Sequence, residues 1–390
     1  MVRRPFAAPV ASLPTVLFIH PSDEMYGADR ILLRVLEALE GQILPVVVLP
    51  IDTSPGALSV ELDRRGIRVL RRNVPVLRRR YLSARGVVHL GVSTVWGIVE
   101  LVRTGRQVGC TAVHTNTSAV LVGPLVALLL RVEHIWHIHE IVERPRLLAV
   151  LIARITRWYS CKVVAISAAV AARIRLDGGR VTNVILNPAP EGRDPGPPPE
   201  GVPVVLMAGR VNGWKGHDVF VSACERLHQE GLRAVYEIVG GPVPGRTEPF
   251  DRLRDRVARI DAHGDWIRFD GWTDAMPARI TQASVVVLPS TGPEPLNITA
   301  LEAMALRRPV IATRTGGLPE VVVEGETGLL VPIGDERALA DAIRRLVEDP
   351  ALSDQMGRAG YERARAVFSL QAFNTAWQAV YREVQGLRQR

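Results

Sequence analysis

An α/β chain with two doubly wound, parallel-sheet domains is predicted here, and three observations carry the prediction. The 390 residues exceed what one hydrophobic core usually holds. Apolar strand-like runs alternate with helical stretches, and this series occurs twice. Between the two series lies "PAPEGRDPGPPPEG" (188–201), too rich in proline and glycine for helix or strand.

The first series opens on "TVLFIH" (15–20), a strand-like run. The loop "PSDEMYGA" follows, then "DRILLRVLEALE", whose apolar residues recur at helical spacing. Further strands are expected at 44–50, 67–70, 111–115, 134–139 and 162–167, which makes 1–187 the first domain and 188–201 a linker. The second domain, 202–368, has strand candidates at 203–210, 235–241, 266–271, 284–290, 309–313 and 328–332. In the last segment, 369–390, Leu370, Phe373, Trp377, Val380, Tyr381 and Val384 fall near helical spacing, so an amphipathic helix with a surface to cover is expected. Open parallel sheets take ligands at the carboxyl ends of their strands, which points to a cleft between the domains. No G-x-G-x-x-G follows any strand, an argument against a dinucleotide cofactor.

Composition fits a folded protein: 47% of residues are hydrophobic and 23% charged. Cys110, Cys161 and Cys224 are scattered and odd in number, which fits neither a disulfide framework nor a zinc site and suggests a reducing cytoplasm. Residues 1–12 lack the apolar run of a signal peptide, and "AVLVGPLVALLL" (119–130) is too short to span a bilayer. The net charge of +8 is uneven, with 25 basic against 15 acidic residues over 1–195. A basic first half, with "RRNVPVLRRR" at 71–80, calls for an anionic partner or is a plain solvated surface, and both readings stay open. A nucleic-acid partner is not expected, for want of aromatic platforms and a helix-turn-helix signal.

Two stretches carry chemistry. In "GPEPLNITALEAMA" (292–305), Pro295 keeps Glu294 out of the helix that Asn297 caps, and Glu302 sits in its second turn. The helix start is a natural phosphate seat, and acids before and within it could meet sugar and ribose hydroxyls. In "AGRVNGWKGHD" (208–218), Arg210 and Lys215 stand on a loop at a strand end, as a diphosphate would require. In isolation each of these residues could equally be a solvated surface group. No D-x-D and no metal-spaced cluster occurs, so no metal and no cofactor beyond a co-substrate is expected.

Taken in order, "GR", "KG", the E-x7-E pair Glu294 and Glu302, "EAMA", "RPVIAT", "TGGLPEVV" and "GETGLLVPIGD" resemble the C-terminal half of family-4 retaining glycosyltransferases (glycosyl transferases group 1). More loosely, "YGADRILLRVLEAL", "AIS" and "NPAP" are similar to the N-terminal half. The resemblance implies the GT-B fold, two Rossmann-like domains facing a cleft, with the last helix crossing back to the first domain. It also implies a UDP- or GDP-sugar donor and a glycan, lipid-linked or small-molecule acceptor; the scattered cysteines and the basic first half add the expectation of a cytoplasmic enzyme that could sit peripherally on an anionic inner membrane face. By the same resemblance Arg210 and Lys215 hold the diphosphate, Glu302 the ribose, and Glu294 with Leu296, Asn297 and Ile298 the sugar. Gly209, Gly240, Gly271 and Trp272 fall where the family lines the nucleotide, and Gly27 and Ala28 where it approaches the donor phosphate. His139 matches the family's histidine facing the reacting sugar, with Asn116 and Thr117 as acceptor-side candidates; Glu294, Arg210, Lys215 and His139 form the expected catalytic set.

Two departures stand out. Pro-Leu-Asn (295–297) replaces the usual Pro-Phe-Gly, which leaves the donor sugar open, and Arg307–Arg308 replaces the usual glycine before "PVIA", a change expected to alter only a helix terminus, whose negative end arginine suits. The reaction implied is a metal-free transfer with retention, the departing phosphate taking the acceptor's proton. A sugar-nucleotide epimerase or hydrolase of the same fold, or a silent sugar-nucleotide-binding paralogue, is the competing reading.

Overall fold

A computed structural model describes residues 13–51, 55–77, 84–159, 162–243 and 245–387. Residues 1–12, Arg78–Arg80 of the basic run and Cys161 lie outside the described residues. The chain divides into two units. The first comprises Met1–Ala165, Ile174–Asn183 and Asn374–Arg390; the second comprises Ile166–Arg173 and Val184–Phe373.

In chain order the first half runs β1 (Thr15–Ile19), α1 (Gly27–Ala38), β2 (Leu44–Pro50), α2 (Ala57–Arg64), β3 (Arg68–Arg72), α3 (Ala84–Gln107), β4 (Ala112–Asn116), α4 (Gly123–Leu130), β5 (Glu133–Ile138), α5 (Arg146–Trp158), β6 (Lys162–Ala165), α6 (Ala168–Leu176) and β7 (Asn183–Val184). Its sheet has the order β3-β2-β1-β4-β5-β6-β7, with β1 to β6 paired in parallel. The short β7 had no signal in the sequence, since two residues hold no periodicity.

The second half runs β8 (Val204–Ala208), α7 (His217–Gln229), β9 (Val235–Val239), α8 (Glu248–Ile260), β10 (Ile267–Gly271), α9 (Met276–Gln282), β11 (Val285–Leu288), α10 (Ile298–Ala305), β12 (Val310–Thr313), α11 (Leu318–Val321), β13 (Gly328–Val331), α12 (Glu336–Glu348), α13 (Pro350–Val367) and α14 (Leu370–Leu387). Its six strands lie in the order β10-β9-β8-β11-β12-β13, all parallel. Runs such as Val285–Leu288 and Val310–Thr313 are buried throughout, as strands covered on both faces must be.

In each sheet the strand order reverses once, between β1 and β4 and between β8 and β11. At such a point the loops leaving adjacent strands diverge to opposite faces and open a crevice at the carboxyl ends. From Asn374 onward α14 belongs to the first unit. Trp377 and Tyr381 are buried there against His114 and His137, and Gln378 Nε2 donates to the Ala38 carbonyl at 3.0 Å.

The Arg307–Arg308 pair is more than a helix end. Arg307 takes the left-handed φ of 55° just past α10, where glycine is usual, and its guanidinium pairs with Asp194 and Asp354. Arg308 is fully buried and donates to the carbonyls of Thr281, Gly196, Pro197 and Arg307. The two arginines thus hold the proline-rich segment in place within the second unit.

Candidate functional site

The reversal point of the second sheet collects the loop after β8 and the loop after β11. Asn212 Oδ1 accepts from the backbone N–H groups of Trp214 and Lys215, at 3.2 and 3.0 Å, which turns the chain toward α7. Gly216 ends this turn at φ 79°, and a Cβ there would lie 1.8 Å from the Pro289 carbonyl oxygen, so only glycine lets the two loops close up. Thr291 N–H donates to the Trp214 carbonyl at 2.7 Å and locks them together.

Within this clamp Lys215 Nζ reaches both carboxylate oxygens of Glu294, at 2.6 and 2.9 Å, and lies 4.6 Å from the Trp214 ring centroid. Ser290 Oγ donates to the same carboxylate at 3.0 Å. Glu294 is therefore buried, 3% exposed, whereas Lys215 keeps a partly open side. The carboxylate takes part in a charge-assisted cluster with an accessible cation beside it.

A third loop, after β12, supports the second. Thr313 and Thr315 hydroxyls donate to the Ser290 and Gly292 carbonyls at 2.7 and 3.2 Å, and Gly317 N–H donates to the Glu294 carbonyl at 2.7 Å. Gly316, at φ 54°, passes so close that a Cβ would sit 2.0 Å from the Glu294 carbonyl oxygen. This accounts physically for the "TGG" at 315–317.

Asn297 caps α10 as its sequence suggests: its Oδ1 accepts from Ala300 N–H at 3.2 Å. Leu296 and Asn297 are buried, and Ile298 and Glu302 are half-buried on the helix they begin. Gly209, Gly240 and Gly271 meet at the carboxyl ends of β8, β9 and β10, with Gly240 N–H donating to the Gly271 carbonyl at 2.6 Å and the Gly209 carbonyl packed on Gly240. Trp272 projects beyond them, 64% exposed, and Arg210 is exposed on the loop after β8. The structure brings Lys215 and Glu294 into contact; it places Glu302 on the second turn of α10 and Trp272 past the end of β10.

At the reversal point of the first sheet a polar cluster is buried. Asp29, in the first turn of α1, accepts from Ser22 Oγ at 2.7 Å and from the Tyr26 N–H at 2.9 Å, and its Oδ1 lies 2.7 Å from His20 Nε2. His20 Nδ1 is 2.9 Å from Asn116 Nδ2, and Asn116 Oδ1 is 2.9 Å from His139 Nε2. Gly27 and Ala28 open α1 beside them, the Ala28 carbonyl accepting from Asn116 Nδ2 at 3.4 Å. Thr117, next to Asn116, is held at φ 75°, a strained setting for a β-branched residue that costs about 1–3 kcal/mol. Its carbonyl accepts from Trp136 Nε1 at 3.0 Å.

The charges follow from burial. Burial pushes the Asp29 carboxyl up, but hydrogen bonds from His20, Ser22 and Tyr26 outweigh it and hold the group below its usual range. His139 is driven down to about 3 by burial, with His20 adding to the effect and Asp29 opposing it, so its ring is neutral at pH 7. Burial raises Glu140 against the hydrogen bonds from the Ser118 N–H and hydroxyl. His137 is fully buried beside His139, ring centroids 4.0 Å apart, and neither of its nitrogens has a hydrogen-bond partner. Among the described residues no group of three or more His, Cys, Asp or Glu could hold a metal ion.

Sequence reasoning missed Ser290, Asn212, His20 and Asp29. Asn212 carried a signal, three residues before Lys215 in an Asx-turn spacing. His20 carried a weaker one, as the residue closing the first strand run.

Residues 202–349 match the family Glycosyl transferases group 1. An alpha-D-kanosaminyltransferase of Streptomyces kanamyceticus is 31% identical over 183 residues, 47% of this chain and 46% of the relative. A D-inositol 3-phosphate glycosyltransferase of Streptomyces avermitilis is 36% identical over 172 residues, 43% of this chain and 37% of the relative. The chain thus spans less than half the length of these relatives. Among solved structures, Anabaena HepE in complex with UDP and glucose follows 94% of this chain and 98% of its own, with a TM-score of 0.78 and 22% identity. Sucrose-phosphate synthase from Thermosynechococcus elongatus follows 96% and 100%, with a TM-score of 0.75 and 23% identity. Parallel-sheet units that track these structures along nearly the whole chain give this chain the GT-B fold, and residues 202–349 are similar to the glycosyl transferases group 1.

Proposed function

We propose that the protein transfers a sugar from a nucleoside diphosphate sugar to an acceptor hydroxyl, with retention of anomeric configuration and without a metal ion. The observation that carries the reading is the Lys215–Glu294 pair, set where the second sheet reverses and beside the Asn297-capped start of α10. A diphosphate placed there meets the Lys215 ammonium, the Arg210 guanidinium and the free N–H groups of α10, which together offset its charge as it leaves. Glu294 fixes the ammonium and offers its carboxylate edge to sugar hydroxyls. Glu302 is assigned to the ribose.

In the transfer, the acceptor oxygen bonds to the anomeric carbon as the bond from that carbon to the phosphate oxygen breaks. The departing phosphate oxygen takes the acceptor's proton. His139, driven down to about 3 by burial, is too weak a base to take that proton at pH 7, and Asp29 is already occupied by three donors, so the phosphate is the better base. A uridine or guanosine diphosphate sugar is the donor we favour; HepE holding UDP supports the first.

Thermal denaturation with UDP, GDP, ADP and their sugars tests the donor side. At a hundredfold excess over Kd, ligand stabilises the native state by about 2.7 kcal/mol, and Tm should rise by roughly 5–10 °C for one base and not the others. Added chelator should leave the rise unchanged. A panel with no shift removes the nucleotide reading, and a shift lost to chelator removes the metal-free one.

The acceptor is proposed to be presented at an anionic membrane. Right-handed crossovers place α3, α4 and α5 on one face of the first sheet. That face exposes Trp96 (64%), Leu128 (56%), Leu147 (86%) and Trp158 (72%), while α5 adds Arg146, Arg154 and Arg157 and contains no acidic residue. Aromatic and leucine side chains among arginines suit a lipid interface, and no helix of the described residues is long and apolar enough to cross it. The protein should sediment with phosphatidylglycerol-containing vesicles at physiological salt and not with phosphatidylcholine alone. Reversing Arg154 and Arg157 to Glu should lower partitioning by at least about thirtyfold, taking about 1 kcal/mol per lost arginine contact; sedimentation unaffected by the reversal excludes the idea.

A further inference from the structure

The order of hydrogen bonds at the reversal point of the first sheet decides which nitrogen of His139 carries its proton. A carboxylate only accepts, so the His20 nitrogen facing Asp29, Nε2 at 2.7 Å, must be an N–H. The other nitrogen, Nδ1, lies 2.9 Å from Asn116 Nδ2, an NH2 that only donates, and so faces it as a lone pair. Asn116 can answer it only with its NH2 group. The Ala28 carbonyl, 3.4 Å from the same NH2 and also unable to donate, fixes the amide the same way round. What Asn116 leaves for His139 is its carbonyl oxygen, 2.9 Å from Nε2, and that oxygen requires an N–H.

We propose that Asp29, His20 and Asn116 act as positioning residues that lock His139 as the neutral tautomer protonated on Nε2, leaving Nδ1 as a lone pair that can only accept a hydrogen bond from a hydroxyl of the bound sugar or acceptor. The relay is built for this: Asp29, His20 and Asn116 are 2%, 0% and 0% exposed, so water does not compete for their donors and acceptors. The carboxylate end is held ionised by its three donors, and burial keeps the His139 ring neutral. The hydroxyl-accepting role rests on the glycosyl-transfer reading; the tautomer does not.

Long-range proton–nitrogen NMR on protein labelled with 15N-histidine reads the tautomer without substrate. His139 is expected as the pure Nε2–H form at pH 7 with a slowly exchanging ring proton, its signals being identified by their absence from His139→Gln. Asn116→Leu should abolish the slow exchange at His139 and mix its tautomers, and Asn116→Ser should do the same if the leucine variant does not fold. A proton on Nδ1 of His139 in the wild type overturns the proposal, as does a His139 signal indifferent to both substitutions at Asn116. Should the NMR result hold while no nucleotide sugar binds, the relay stands and the glycosyl-transfer reading falls.

Discussion

Lys215→Ala is expected to lower turnover of a nucleotide sugar by about 10²–10³-fold, the usual cost of removing one preorganised charge partner from a developing anion. The diphosphate-induced rise in Tm should shrink with it. The same substitution removes the ammonium from Glu294, whose side chain is 4% exposed and keeps the Ser290 Oγ donor. Breaking a buried pair in this way costs about 3–5 kcal/mol where the remaining charge is uncompensated, and the partial exposure of Lys215, 19%, pulls the figure toward the lower end. Glu294→Gln separates the two effects. It keeps the shape and an acceptor for Ser290 but removes the charge that holds the ammonium, so its stability loss should be smaller while turnover still falls. The double variant should be no worse in turnover than Lys215→Ala alone, because residues that act as a pair do not add. Near-wild-type turnover in both single variants would sink the assignment of this crevice as the donor site.

Much of the architecture was legible because parallel sheets are buried on both faces, which writes strands such as Val285–Leu288 as unbroken apolar runs. Capping was legible for the same local reason: Asn297 needs only its own helix to act. Pairings across the fold were not. Nothing local says that Lys215 spends its charge on a residue 79 positions away, or that Arg308, in a run that reads as a helix terminus, has its guanidinium consumed by carbonyls at positions 196, 197 and 281. The His20–Asn116 contact spans 96 residues and joins two strand ends that become neighbours only once β4 lies beside β1. Glycines fell between these cases. Gly216 and Gly316 could be noticed in sequence, but their reason, a carbonyl oxygen passing where a Cβ would be, exists only in the folded loops.

Acid should unfold the first unit before the second. Burial lowers His134 and His139 to about 3 and takes His114 and His137 well below the ordinary 6.5, all four in the first unit. Unfolded, each titrates near 6.5. A histidine whose folded pKa is depressed contributes its full stability above 6.5, and the contribution is lost as pH falls from there toward the folded value. Each such ring lowers stability by about 1.4 kcal/mol per pH unit in that window, so four give about 5 kcal/mol per unit, against a total of about 5–15 kcal/mol for a domain. Loss of structure in the first unit is therefore expected within about one to three units below pH 6.5. Asp29, also depressed, adds to the loss at the acid end, while relief of Glu140, whose pKa burial raises, opposes it there. The second unit holds one comparable ring, His217, lowered to about 4 by burial, and so should resist longer. Hydrogen exchange followed by mass spectrometry across pH 7 to 4 assigns each transition to its unit. Replacing His137, which has no hydrogen bond to lose, by Leu should reduce the pH slope of the first unit by about a quarter and move its midpoint to lower pH. Simultaneous loss of both units, or a midpoint unmoved by His137→Leu, would show that the buried rings do not govern acid stability.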